Sequence, residues 1–156
     1  MTHSAGLLLY RLDGGRLELL IAHMGGPFWA KKEAGAWSIP KGEYDPDAEA
    51  AVDAAVREFR EELGVEPPAG PYAELGTYPY SSGKRVTVFV ADGTGFRLDD
   101  LVFGEFEMEW PPRSGTRASF PEIDRVEWSD PVTARERLVK GQRPAVDALE
   151  RALAEA

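Results

Sequence analysis

The chain has 156 residues, contains no cysteine and carries a formal charge of −9 at pH 7. Its length suits a single domain over residues 1–156, since domains usually run to ~100–200 residues. The absence of thiols excludes disulfides, cysteine-ligated zinc and thiol nucleophiles, and the acidic charge excludes unaided binding to a polyphosphate backbone such as DNA.

The chain begins with a predicted β-hairpin. Residues 6–12 and 17–23 are apolar and flank Asp13-Gly14-Gly15, a sequence typical of a tight turn between antiparallel strands. The first apolar run is too short for a signal or membrane segment, so we expect a soluble, cytoplasmic protein with no membrane contact. Residues 24–36 are predicted to form a surface loop, and residues 37–42 a short strand that ends in a turn.

A helix is predicted to begin at Asp45-Pro46-Asp47, because a capping aspartate followed by proline is typical of a helix start. Gly64 is predicted to end this helix as its C-cap. The apolar residues between these points recur at helical spacing and are predicted to face the core. They are Val52, Ala55, Val56, Phe59 and Leu63.

The second half of the chain is predicted to alternate strands and helices. Strands are predicted at 75–80, 85–90, 103–110 and 125–128, with a polar loop at 111–119. Asp130-Pro131 is predicted to begin a helix through residue 139, and a last helix covers 144–154. This mixed order predicts an α/β or α+β sandwich.

Three carboxylates lie on one face of the predicted helix. At about 100° per residue, Glu58, Glu61 and Glu62 point away from the core stripe, towards a loop or solvent. One interpretation is a solvated face on which Arg57 pairs with Glu61 at i, i+4. The helix dipole disfavours negative charge in the last turns, which instead favours a site for divalent cations such as Mg²⁺, the partners of hydrolytic phosphoryl transfer.

The residues around this face resemble the signature of the Nudix hydrolases. Gly42 and Glu49 are followed at 57–65 by Arg-Glu-Phe-Arg-Glu-Glu-Leu-Gly-Val. The family pattern is Gly, five residues, Glu, seven residues, Arg-Glu-apolar-any-Glu-Glu-any-Gly-apolar; here six residues separate Gly42 from Glu49. The resemblance implies an α/β/α sandwich with a mixed central sheet and a loop-helix catalytic motif.

The resemblance also implies roles for the residues of the motif. Glu58, Glu61 and Glu62 would hold divalent cations, Mg²⁺ or Mn²⁺, with the Gly42 carbonyl as a further ligand. The structural positions of the motif would be Arg57, Glu49 and Gly64.

Further site residues are implied outside the motif. Glu122 resembles a loop glutamate that binds metal or serves as general base in Nudix enzymes acting on dinucleoside polyphosphates and RNA 5′ ends; the alternative is a solvated acid in a turn. Residues 37–42 resemble the start of the motif in members acting on dinucleoside or diphosphoinositol polyphosphates, so Lys41 would meet a phosphate unless it is a solvated turn lysine. Further candidates for the acid are Glu107 and Glu109, and for the phosphate path Lys140, Arg143, Lys31, Lys32, Lys84, Arg85 and Arg113.

Histidines and aromatic residues give less direct signals. His3 and His23 are too isolated for a metal cluster, and His23 is predicted to be structural. An aromatic side chain could stack on a nucleobase or pack in the core. The candidates are Trp29, Tyr78, Tyr80 and Trp110.

The leading hypothesis is a divalent-metal-dependent hydrolase of a phosphoanhydride bond in a nucleoside diphosphate linked to another moiety. A dinucleoside polyphosphate or other nucleotide polyphosphate is favoured, with nucleotide sugars and RNA 5′ ends as alternatives, and Glu58 or Glu122 would activate the water. A non-catalytic nucleotide-binding module of the same fold is a further alternative. Isopentenyl diphosphate isomerase shares the fold but relies on a cysteine, and no EF-hand loop is present. The expected partner is a small-molecule nucleotide, and both a monomer and a homodimer stay open.

Overall fold

The computed structural model describes residues 2–80 and 83–156 and contains the predicted hairpin. Strand β1 (Thr2–Asp13) turns into β2 (Arg16–Met24) through Gly14 and Gly15, whose φ angles of 59° and 83° suit glycine in a two-residue turn. In β1 the fully buried residues Leu7 and Leu9 pack in one core and Leu8 in another. The strand is therefore covered on both faces.

Seven strands of the described chain form one mixed sheet. The remaining strands are β3 (Trp37–Ser38), β4 (Lys41–Glu43), β5 (Ala73–Tyr80), β6 (Lys84–Asp92), β7 (Glu105–Glu109), β8 (Arg117–Pro121) and β9 (Ile123–Ser129). The main path runs β3-β2-β1-β6-β5, while β4 pairs with β1 and β9 with β2. Strands β1 and β6 are parallel, and the other pairs are antiparallel. Strands β7 and β8 form a separate hairpin.

Helices cover both faces of the sheet. Helix α1 (Ala51–Leu63) packs on one face, while α2 (Pro131–Arg137) and α3 (Arg143–Ala154) pack on the other. The predicted α/β/α sandwich with a mixed sheet is confirmed. None of the helices within residues 2–80 and 83–156 has the length and apolar character needed to cross a membrane.

The predicted start of α1 is wrong. The helix begins at Ala51, because Ala50 is extended with φ −73° and ψ 148°. The Asp45 carboxylate instead accepts a hydrogen bond of 2.9 Å from the Asp47 backbone N–H, which closes a local turn. The predicted end is correct, since Gly64 has φ 73° and its N–H donates to the Arg60 carbonyl at 2.8 Å.

Two further details of the sequence prediction need correction. Residues 111–119 are not one loop, because β8 begins at Arg117 and pairs with β7 from Glu109 to Glu105. One face of this hairpin is exposed, so its polar residues resemble a loop in the sequence. In α1, Ala54 is buried as well, Val52 is partly buried and packs against the core, and Val56 is only partly buried.

Candidate active site

A cleft of about 570 Å³ lies between α1, β4 and the start of β7. Its acidic lining consists of Glu43, Glu58, Glu61, Glu62, Glu105 and Glu122, and its basic lining of Lys41 and Lys84. The fold thus brings Glu122 to the motif helix, about 60 residues away in sequence. Glu58, Glu61 and Glu62 all face this cleft, away from the core stripe; Glu61 is exposed, whereas Glu58 and Glu62 are partly buried.

Arg57 binds three carboxylates at the edge of the cleft. Its Nη2 donates to Glu49 Oε1 at 2.6 Å and its Nε to Glu49 Oε2 at 3.2 Å, a forked pair. Its Nη1 donates to Glu58 Oε1 at 2.9 Å and to Glu61 Oε2 at 3.2 Å. These bonds hold the pKa of Glu49 below its usual range. The additional residue between Gly42 and Glu49 therefore leaves the contact of Glu49 with the motif helix intact.

Residue 42 must be a glycine, because the Glu58 side chain occupies the space that a Cβ would need. Strand β4 pairs with β1 through Ala5 and Gly42, and α1 lies across this pair. A Cβ at residue 42 would lie 2.0 Å from Cδ and Oε2 of Glu58. The side chain of Glu58 is only 13% exposed and occupies that space. The glycine thus allows the Glu58 carboxylate to lie directly against the backbone of β4.

Glu62 is the most perturbed acid of the cleft. Burial raises its pKa to about 8, and the negative charges of Glu122 and Glu58 add to the shift. The charge and backbone N–H of Lys41 act in the opposite direction. Burial also raises the pKa of Glu58, against the hydrogen bond and charge of Arg57. The cleft therefore concentrates carboxylates that disfavour their own ionisation when no cation is bound.

Backbone hydrogen bonds place Glu122 between α1 and the loop after β2. The Glu62 carbonyl accepts from the Gly104 N–H at 3.3 Å, and the Gly104 carbonyl accepts from the Glu122 N–H at 2.7 Å. The Glu122 carbonyl accepts from the Gly25 N–H at 2.9 Å. A Cβ at residue 25 would lie 1.9 Å from the Pro121 carbonyl oxygen, so this approach requires glycine.

The donor set of the cleft fits a hard divalent cation. Within the described ranges, no three histidine, aspartate or glutamate side chains stand close enough to form a complete metal-binding group. Mg²⁺, however, commonly takes one or two carboxylates and completes its coordination with water and substrate phosphate oxygens. The raised pKa of Glu62, caused by burial and by neighbouring negative charge, is the condition that a bound cation would relieve.

An apolar cavity of about 260 Å³ adjoins the cleft. It shares Lys41, Glu62 and Glu122 with the carboxylate cleft. Its remaining lining is largely apolar and aromatic: Ala22, Met24, Gly25, Trp29, Ser38, Ile39, Phe106 and Ile123. An apolar cavity with a few polar groups at one end is typical of a small-molecule site.

Several predicted residues lie elsewhere. Lys140 and Arg143 line neither cavity, because they lie at the start of α3 on the opposite face of the sheet, where Arg143 Nε donates to the Leu138 carbonyl at 3.4 Å. Glu107 and Glu109 are exposed, and the Glu109 carboxylate accepts backbone N–H groups of the hairpin turn.

The aromatic candidates are also separated. Trp29 lines the apolar cavity, whereas Trp110 contacts Phe28 at a ring distance of 5.7 Å. Tyr78 packs against the core beneath α3. The side chain of Tyr80 lies outside the described residues, as do Ser81 and Ser82 of the predicted 81–84 turn.

Sequence reasoning missed Glu105 and Phe106. They are neighbours in β7 that face opposite sides, Glu105 lining the cleft and Phe106 the apolar cavity. Alternation of acids with apolar residues at 105–109 was the available signal for a strand with two different faces. It could not say which acid meets the cleft, since that depends on the position of Gly104 against α1.

A family model described as NUDIX domain matches residues 2–149. No curated protein matches the chain. Among solved structures, a C. elegans Ap4A hydrolase binary complex is similar with TM-score 0.67 and 19% identity, over 100% of both chains. A MutT protein from Methanosarcina mazei Go1 is similar with TM-score 0.61 and 20% identity, over 97% of this chain and 94% of that one. The NUDIX domain of Shewanella oneidensis NrtR complexed with ADP ribose gives 0.60 and 14%, over 97% and 87%.

Proposed function

Because this chain belongs to the NUDIX domain family, we propose that it is a Nudix pyrophosphohydrolase and hydrolyses a phosphoanhydride bond in a nucleotide polyphosphate. The favoured substrate is a dinucleoside polyphosphate. The proposal includes dependence on a divalent cation and assigns the reaction to the carboxylate cleft.

One observation carries the proposal: the two cavities share Lys41, Glu62 and Glu122. An acidic cleft with two lysines suits phosphates accompanied by cations, and the apolar cavity with Trp29 and Phe106 suits the ring of a nucleoside. A nucleotide could therefore place its base in the cavity and its phosphates across the shared wall. The carboxylate cleft alone would not distinguish a nucleotide from an inorganic polyphosphate.

The carboxylates would share the work of the reaction. In the hydrolysis, a water oxygen forms a new bond to phosphorus while the bridging P–O bond breaks and the leaving phosphate departs. Glu122 or Glu58 would orient this water and accept its proton. Lys41 would contact the phosphate chain at the wall between the two cavities.

Glu58, Glu61 and Glu62 would hold Mg²⁺ or Mn²⁺, with Glu122 and the Gly42 carbonyl as further ligands. A bound cation supplies positive charge that neutralises the polyphosphate, polarises phosphorus and acidifies water. Arg57 would keep Glu58 and Glu61 on the cleft side of the helix through its bonds of 2.9 and 3.2 Å.

The alternative is a nucleotide-binding module without hydrolysis. Structures of Shewanella oneidensis NrtR, one with ADP ribose and one with a 27mer DNA, share this fold at 14% identity. The formal charge of −9 gives this chain no electrostatic preference for DNA. Turnover separates the two functions directly.

The test is a substrate panel with Mg²⁺ or Mn²⁺, containing Ap4A, ATP, a nucleotide sugar, ADP-ribose and triphosphorylated RNA. Phosphate-containing products are separated by chromatography, and hydrolysis in ¹⁸O-water identifies the attacked phosphorus. We expect the highest kcat/KM for Ap4A. Exchange of a metal-holding acid, Glu61→Gln, is expected to lower kcat about 10–100-fold.

The matched control is Glu66→Gln, since Glu66 lies just beyond the helix and pairs with Arg60 outside the cleft. It should retain wild-type turnover. Absence of turnover across the panel, together with unchanged nucleotide binding in Glu61→Gln, would sink the hydrolase proposal in favour of the binding module.

A further inference from the structure

His23 is a fully buried polar residue that the proposed chemistry does not use. Its side chain is 0% exposed, and its ring meets the edge of Trp37 at 5.2 Å between centroids. Both ring nitrogens have partners: Nδ1 lies 2.7 Å from Asp124 Oδ1, and Nε2 lies 2.7 Å from the Lys32 carbonyl oxygen. These are short hydrogen bonds, and they join three separate segments of the chain.

The Asp124 contact depends on an irregularity in the sheet. The register between β2 and β9 shifts between His23 and Met24, with His23 opposite Arg125 and Met24 opposite Ile123. Asp124 is therefore left without a ladder partner. Bulges of this kind re-aim a side chain, and here the carboxylate turns to the buried imidazole.

The two bonds reach both walls of the apolar cavity. Asp124 follows Glu122 by two residues, and Glu122 is shared by the cavity and the cleft. Lys32 donates its backbone N–H to the Trp29 carbonyl at 3.0 Å, so the Lys32 carbonyl belongs to the turn that presents Trp29. The His23 ring thus connects the wall of the cavity that carries Glu122 with the wall that carries Trp29.

One of the two hydrogen bonds has a fixed direction. A backbone carbonyl only accepts, so Nε2 of His23 must donate to the Lys32 carbonyl. The ring therefore bridges the Lys32 carbonyl and the Asp124 side chain through its two nitrogens. Two further charged groups lie beside this bridge: Glu33, with Oε2 4.0 Å from His23 Nε2, and Arg125, with Nε 3.8 Å from Asp124 Oδ1.

We propose that His23 is a positioning residue, which holds the Asp124 side chain and the Lys32 carbonyl and thereby sets the separation of Glu122 from Trp29. The proposal rests on the hydrolase function, because Glu122 and Trp29 would orient water and nucleoside respectively. Loss of the clamp should displace both, lowering kcat and raising KM in the same variant.

The first test compares His23→Gln with His3→Gln, the same exchange at the chain's only other histidine. Glutamine can supply a donor to one of the two acceptors and not to both. Against the best substrate of the panel, His23→Gln should lower kcat/KM about 10–100-fold, with contributions from kcat and KM. His3→Gln should behave as wild type.

Two exchanges at Asp124 separate positioning from general stability. Asp124→Asn keeps a group that can hydrogen-bond Nδ1 and should stay within about threefold of wild type, whereas Asp124→Leu removes it and should reproduce the loss in His23→Gln. Thermal unfolding of each variant gives the folded fraction. A merely structural role would lower the unfolding temperature and leave kcat and KM per folded molecule unchanged, which would overturn the proposal.

The second test is ¹⁵N–¹H NMR of the two histidine rings at pH 7, with His3→Gln to assign the signals. Nε2 of His23 should carry a slowly exchanging proton, because it donates to the buried Lys32 carbonyl. An Nε2 without a proton would overturn the proposal. This readout needs no turnover, so a chain that hydrolyses no substrate would refute the hydrolase function while the spectrum still decides the role of His23.

Discussion

Arg57 and Glu62 lie on the same helix but in different electrostatic environments. Arg57 donates direct hydrogen bonds to Glu49, Glu58 and Glu61. Burial raises the pKa of Glu62 to about 8, against the opposing charge of Lys41. The helix therefore carries an ion cluster around one guanidinium at its edge and a largely buried acid facing the cleft.

The raised pKa of Glu62 predicts how stability depends on pH in metal-free protein. The folded state holds the Glu62 proton more tightly than the unfolded state, so the contribution is fully present below about pH 4.5 and is lost as pH rises through about 8. At about 1.4 kcal/mol per pKa unit, the loss amounts to at most roughly 5 kcal/mol. Urea unfolding in EDTA at several pH values measures it.

Glu62→Gln should flatten that dependence, because glutamine has no proton to lose. Glu66→Gln, at an exposed ion pair, should leave it unchanged. Parallel curves for wild type and Glu62→Gln would show that Glu62 ionises normally.

At the scale of elements, the strand-loop-strand segment from β3 to β4 carries Lys41 and Gly42 into the cleft. Gln142, which is fully buried and directly precedes α3, fixes this segment from the opposite face of the sheet. Its Oε1 accepts from the Ile39 N–H at 2.8 Å, and its Nε2 donates to the Ser38 hydroxyl at 2.9 Å. A residue remote from the chemistry thus holds the backbone two residues before Lys41.

Gln142→Leu should destabilise the fold by about 1–3 kcal/mol, since it leaves a buried N–H without an acceptor. Urea unfolding checks the value. Gln142→Glu retains the acceptor and should recover part of the loss. A leucine variant as stable as wild type would mean that Ile39 finds another partner.

The same elements show what sequence can predict. The motif from Glu49 to Gly64 is local, so helical spacing and the glycine end predict which acids share a face. The location of Glu122 and Glu105 depends on contacts of Gly104 with α1, far apart in sequence, and no spacing rule gives it. Lys140 and Arg143 were misplaced for the same reason: their basic character carries no information about which face of the sheet they occupy.

For the whole molecule, the relevant quantity is negative charge concentrated in one cleft. The chain has 27 acidic and 18 basic side chains, and six of the acids line the cleft beside two lysines. This distribution should make the folded state sensitive to divalent cations beyond simple screening.

Addition of Mg²⁺ should therefore raise the unfolding temperature, by about 2–4 °C for each kcal/mol of binding free energy. The rise should be larger at pH 8 than at pH 5.5. Glu62 has a pKa of about 8, so at the lower pH protons compete with the cation for its carboxylate. Differential scanning calorimetry measures the unfolding temperature, and NaCl at the same ionic strength is the control. An equal rise with NaCl would indicate screening alone.

The hydrogen bonds that align Glu122 join Glu62, Gly104, Glu122 and Gly25 through main-chain atoms alone. Main-chain alignment is indifferent to the side chains of the flanking residues, apart from the glycines whose missing Cβ permits the approach. Directed evolution of substrate preference could therefore randomise Met24, Phe106 and Ile123 around the cavity, since the main-chain hydrogen bonds that place Glu122 do not depend on these side chains.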